Sequence, residues 1–214
     1  MEAVIAGGLR EGHRFPSRRN TVTLVRIGEQ WAVRKVFASA ESLEEELARM
    51  EEARRKGLRV PALLRREAET LYYAYIDGVT ALSYLESGGS DPAVWTAFAD
   101  WIADFYLAMG CLMRDCQLRN YIFELPANRV TGFDFEGEVI RDAASAAGRL
   151  LAYISTYDLA DAGAGESLQR ESLQSLLRER FLDRLAGAGL TAEQLSSAEQ
   201  EQLAVLLAER QKKR

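Results

Sequence analysis

The chain has 214 residues, 48% hydrophobic and 28% charged, with a net charge of −5; it is long enough to bury a sizeable core as one domain or two closely packed lobes. The negative balance disfavours a general nucleic-acid role. No apolar run approaches the ~18 residues of a membrane span, and Glu2 and Gly7-Gly8 interrupt any signal-peptide pattern, so a cytoplasmic protein without a membrane span is expected.

Residues Arg10 to Asn20 (REGHRFPSRRN) gather Arg10, Arg14, Arg18 and Arg19 with Ser17 and the single histidine, His13. Such a run is either a solvated loop or a loop that lies over phosphates. Thr21 to Ile27 and Trp31 to Phe37 both alternate in hydrophobicity around the turn Gly28-Glu29-Gln30, which predicts a β-hairpin. Alternation puts Trp31, Val33, Lys35 and Phe37 on one face. A lysine among apolar neighbours either snorkels to the sheet edge or has a partner.

Ser42 to Lys56 predicts a helix stopped by Gly57, with Pro61 beyond. Leu43, Leu47 and Met50 form its buried stripe. Glu46 lies about 60° from Leu43 on the helical wheel, whereas Glu45 points nearly opposite. Of three consecutive glutamates, Glu46 is therefore the one aimed at a sheet lysine, unless it is a plain rim residue.

Leu71 to Ile76 (LYYAYI) predicts a buried strand ending at Asp77-Gly78. Pro92 to Met109 predicts a second helix, whose stripe of Trp95, Phe98, Ile102, Phe105, Tyr106 and Met109 reads as core. Cys111 and Cys116 fit neither a CxxC motif nor a zinc set, so structural thiols are expected rather than a redox pair.

Tyr121 to Leu125 and Arg129 to Phe133 predict a second hairpin around Pro126-Ala127-Asn128. If it is symmetric about Ala127, Asn120 faces Asp134, with Cα atoms about 4.5–5.5 Å apart. An amide oxygen and a carboxylate that close can share one Mg²⁺, a cation that takes oxygen ligands. Asp115, five residues before Asn120, could reach a substrate hydroxyl near the same metal. Each of the three alone is an ordinary turn residue; their joint spacing marks a candidate site. Beyond the hairpin, helices are expected at about 142–157, 167–186 and 191–210, broken by Gly163, Gly165, Gly187 and Gly189, with Lys212-Lys213-Arg214 a solvated end.

In order, the chain carries a strand with Lys35, a helix with Glu46, the strand LYYAYIDG, a helix, Arg114-Asp115-Cys116-Gln117-Leu118-Arg119-Asn120, and Asp134-Phe135-Glu136-Gly137. This pattern resembles the protein-kinase-like superfamily, especially small atypical members such as RIO-like, lipopolysaccharide-core and aminoglycoside kinases, over about residues 12–155. The resemblance implies a two-lobed α+β fold, with a small antiparallel-sheet lobe at 1–75 and a mostly helical lobe at 76–214. It implies an ATP-dependent phosphotransferase using Mg²⁺. Lys35 would hold the nucleotide phosphates with Glu46 as its partner, Asp115 would accept the substrate proton, and Asn120 and Asp134 would hold the metal. The nucleotide would also meet Val33, the backbone of the hinge around Tyr73 and Tyr75, and Ser17, Arg18 and Arg19. These last three stand where the family usually has a glycine-rich loop. Met113 replaces the usual histidine before Arg-Asp, and Glu136 a glycine-side position. The acceptor expected is a hydroxyl on a small molecule, a lipid-linked sugar or a dedicated protein. The alternative is a pseudokinase that binds nucleotide or serves as a scaffold.

Overall fold

The computed structural model describes residues 8–157 and 166–211, with only the backbone at 166–169; Gly163, Gly165 and the terminal Lys212-Lys213-Arg214 lie outside the described residues. The first part of the chain builds an antiparallel sheet from β1 (Arg14–Phe15), β2 (Thr21–Ile27), β3 (Gln30–Val36), β4 (Leu63–Glu67) and β5 (Thr70–Ala74), in the order β1-β2-β3-β5-β4. β2 and β3 pair from Thr21 opposite Val36 to Ile27 opposite Gln30, and Gly28, at φ 62°, turns the chain between them. β4, an edge strand, shows no alternation because its pairing with β5 shifts register between Leu63 and Arg65. Its Arg65 and Arg66 point to solvent, charges that also protect an open edge from mispairing.

Between β3 and β4, α1 (Ala40–Arg55) starts at Ser39, whose hydroxyl accepts from the Ser42 N–H at 3.2 Å, and Gly57 follows its end at φ 81°. Its buried face is Leu43, Glu46, Leu47, Met50 and Ala53. Glu45 does not simply face away. It is half-buried and accepts the Gly137 N–H at 3.0 Å, because a segment from much later in the chain passes that side of the helix.

From β5 the chain passes through residues 75–78 into β6 (Val79–Thr80), α2 (Ala81–Glu86) and α3 (Pro92–Met109). Asp91 caps α3, Pro92 opens it, and Gly110, at φ 67°, ends it. Then follow β7 (Leu112–Met113), the hairpin β8 (Tyr121–Glu124) and β9 (Arg129–Gly132), and β10 (Val139–Ile140), which pairs with β7. The C-terminal part is helical: α4 (Ala143–Ser155), α5 (Glu166–Leu185) and α6 (Ala192–Gln211).

Trp95, Phe98, Trp101, Ile102 and Phe105 of α3 are buried, and the core around them runs without a break from Leu43 under the sheet to Leu206 of α6. The aromatic stripe is core, as its period predicts. Phe105 stacks on Phe135 with ring centroids 5.3 Å apart, which anchors the segment just after β9.

The hairpin differs from the sequence expectation by one residue. Leu125–Ala127 forms a 3₁₀ turn, and Tyr121 pairs with Gly132. Asn120 therefore lies opposite Phe133, whose N–H donates to the Asn120 carbonyl at 3.0 Å, and not opposite Asp134. The turn takes its tightening from Pro126 and from Asn128 in the left-handed region, at φ 45°, which moves the symmetry point off Ala127.

Candidate functional site

Lys35 sits on the inner face of β3, 7% exposed, where little water can reach its ammonium. Its Nζ lies 2.5 Å from Glu46 Oε2 and 2.5 Å from Asp134 Oδ1. Glu46 is 1% exposed, and its other oxygen accepts the Tyr73 hydroxyl at 2.8 Å. Burial works against the charged ammonium, but the carboxylates of Glu46 and Asp134 outweigh it and raise the Lys35 pKa. Lys35 is thus held charged and aimed.

Asp134 follows β9 with φ 65°, a left-handed conformation that costs a non-glycine residue about 1–2 kcal/mol. Phe135, buried against Phe105 and Trp101, fixes the chain on one side of it, and the hairpin fixes the other. The strained backbone turns the carboxylate towards Lys35. In place of direct opposition, Asn120 is oriented by the loop before it: Nδ2 donates to the Asp115 carbonyl at 2.8 Å.

Asp115 lies in the loop after β7, with its side chain 47% exposed. Its Oδ1 accepts from Gln117 Nε2 and, at 3.5 Å, from the Tyr153 hydroxyl; Arg119 approaches Oδ2 at 3.6 Å. Cys116 beside it is fully buried, and burial pushes its thiol up to about 12.

The basic stretch Arg10 to Asn20 is not one loop: Arg14–Phe15 pairs with β2 as β1, and only residues 16–20 form the turn between β1 and β2. Ser17 Oγ accepts the Asn20 N–H at 3.3 Å, and Ser17, Arg18 and Arg19 are exposed. Val33 stands two residues before Lys35 on the same face of β3, opposite Tyr73. Tyr73 is locked in the sheet between β3 and β4, and its hydroxyl serves Glu46. The Tyr75 N–H is taken by the Trp31 carbonyl at 3.1 Å.

Sequence reasoning missed Glu136 as a participant. Asn20 Nδ2 donates to both Glu136 oxygens at 3.0 Å, Arg19 approaches Glu136 at 3.5 Å, and Asn20 Oδ1 accepts the Ala38 N–H at 3.1 Å. Glu136 also comes together with Glu46 and Asp134, one oxygen of each lying within 4.8 Å of the others. Two further ties were equally hidden: Arg49 Nη1 donates to the Phe135 carbonyl at 2.6 Å, and Glu45 takes the Gly137 N–H. Only one local signal existed, the two-residue spacing of Glu136 from Asp134. Three formal carboxylates against one lysine, with Arg19 at the rim, leave an excess of negative charge around hard oxygen donors. Oxygen donors of this kind suit Mg²⁺.

A small antiparallel sheet with a buried lysine–glutamate pair is joined to a helical part whose hairpin sends a carboxylate back to that lysine, and this α+β architecture is kinase-like. Among solved structures, one of WaaP in complex with acyl carrier protein matches 90% of this chain and 88% of its own, with a TM-score of 0.54 at 14% identity. No family model matches the chain, and no curated protein does.

Proposed function

We propose that the chain is an ATP- and Mg²⁺-dependent phosphotransferase that acts on a hydroxyl acceptor. The observation that carries this reading is the bridge of Lys35 to both Glu46 and Asp134, because phosphoryl transfer asks of a protein mainly an oriented cation, metal-holding carboxylates and a positioned hydroxyl. In this reading residues 1–75 form the phosphate-binding lobe and 76–214 the catalytic lobe. Lys35, fixed by Glu46, neutralises phosphate oxygens. Asn120 and Asp134 would hold Mg²⁺, which when bound offsets charge on the transferred phosphoryl group. Asp115, open to solvent, orients the acceptor hydroxyl and takes its proton. Val33 and the chain around Tyr73 and Tyr75 flank the nucleotide, and Ser17, Arg18 and Arg19 border its phosphates. The acceptor classes are a small molecule, a lipid-linked sugar or a dedicated protein. The acyl carrier protein bound to WaaP gives the protein class its motivation.

The test is phosphate transfer from Mg-ATP across a panel of hydroxyl acceptors, with and without Asp115→Asn. The variant is expected to lose about 10²–10⁴-fold in rate while keeping its thermal shift with ATP and Mg²⁺; undiminished transfer would remove Asp115 from the chemistry.

A second reading, a nucleotide-binding or scaffolding pseudokinase, draws on one observation. Glu136 presents a carboxylate beside Arg19, where a phosphate would compete for the same guanidinium. A thermal shift with Mg-ATP but no transfer to any acceptor would favour it, and no shift at all would remove both readings.

A further inference from the structure

Arg149 of α4 takes no part in the reaction proposed above, yet it is the largest of the fully buried side chains. A buried guanidinium needs a counter-charge and satisfied donors. Its Nη2 lies 2.9 Å from Glu209 Oε2, near the end of α6, and Glu209 Oε1 lies 2.8 Å from Arg114 Nη2. Arg114 immediately precedes Asp115. Arg149 further donates from Nε to the Arg114 carbonyl at 3.4 Å and from Nη2 to the Tyr153 hydroxyl at 3.4 Å, and that hydroxyl donates to Asp115 Oδ1 at 3.5 Å. One carboxylate near the far end of the chain thus holds the side chain of Arg114 directly and, through Arg149, its main chain.

We infer that Glu209 is a positioning residue for the Asp115 loop, acting through the buried Arg149 and the Arg114 side chain. The loop's chemical role rests on the phosphotransferase reading; its immobilisation by Glu209 does not. Arg114 keeps a second acid, Glu138 at 2.9 Å, if Glu209 is neutralised. Arg149 does not have that reserve: its other side-chain acceptor on α6 is the neutral Gln202, at 3.4 Å. The consequence of losing Glu209 falls on Arg149, and hence on the Arg114 carbonyl and Tyr153. Docking of α6 does not need Glu209 for its own sake. Gly148 lets α4 and α6 meet backbone to backbone, and Arg178 ties α5 to Glu199 of α6 at 2.6 Å. Arg210 adds bonds to the Thr156 carbonyl and hydroxyl.

The experiment compares Glu209→Gln, Glu209→Asp and the control Glu199→Gln in the full chain, reading kcat and KM for Mg-ATP and amide hydrogen exchange over residues 114–120. Glu209→Gln is expected to lower kcat by ~10-fold or more, since small misplacement of a reacting group is costly, with KM for ATP little changed. It should also speed exchange at Leu118 and Asn120. Glu209→Asp should recover part of both effects, and Glu199→Gln should reproduce neither. Unchanged kcat and exchange in Glu209→Gln, or equal losses in Glu199→Gln, would overturn the inference. If the wild-type chain transfers no phosphate, the phosphotransferase reading fails, and exchange over 114–120 alone decides the role of Glu209.

Discussion

Lys35 and Glu46 form a pair that is costly to break and less costly to replace. Each charge is buried, so removing one strands the other in an environment that cannot solvate it. Lys35→Met should therefore destabilise the protein by about 3–5 kcal/mol in urea unfolding, and the double variant Lys35→Met/Glu46→Gln should recover much of this. Neither should transfer phosphate. At Glu209, burial alone would push the carboxyl up, but its hydrogen bonds and charge interactions with Arg114 and Arg149 hold it below its ordinary 4.5. A carboxyl lowered on folding stabilises above its unfolded pKa and loses that contribution as pH falls through the folded value. Stability measured against pH should thus decline as pH falls below 4.5, and less steeply in Glu209→Gln. Cys116, with its thiol raised to about 12 and no exposed surface, should resist alkylation at neutral pH until the protein unfolds. At this scale Lys35 and Glu46 were legible because each broke a periodic pattern at a position its own element aims inwards. Glu136 broke none.

Among the elements, α3 and the end of α1 were readable because Pro92, Gly57 and Gly110 act on backbone groups within a turn, whereas α1 begins at Ala40, capped by Ser39, two residues before the expected Ser42. The hairpin was readable in kind and wrong in register, since its register depends on how the turn closes. The meeting of α4 and α6 was not readable at all. A Cβ at Gly148 would stand 2.8 Å from the backbone of Ala198 and Glu199, which no flexible side chain can relieve. Gly148→Ala should cost about 1–3 kcal/mol by forcing the helices apart, despite the better helix propensity of alanine. A variant as stable as the wild type in thermal unfolding would show that the crossing can relax.

Over the whole molecule, the sheet region and the segment Asp134 to Gly137 are joined by Lys35, by Asn20 on Glu136, by Arg49 on the Phe135 carbonyl and by Glu45 on the Gly137 N–H. Asn20 ties the β1–β2 turn to both Glu136 and Ala38. Asn20→Ala should cost about 1.5–3 kcal/mol in urea unfolding, the worth of a hydrogen bond to a charged group, and a variant as stable as the wild type would show that the turn is held by other contacts. The sequence by itself determined the longer helices, the β2–β3 pair and the β8–β9 hairpin in kind, the inward lysine and glutamate and the candidate acids of the hairpin, because period and turn chemistry act within a few residues. Only the tertiary structure decided that Lys35 meets Asp134 from 99 residues away, that Glu136 closes on the N-terminal turn, and that Glu209 supports the loop of Asp115. Such meetings depend on where distant elements pack, and packing is set by the shape of the whole core rather than by any one stretch of chain.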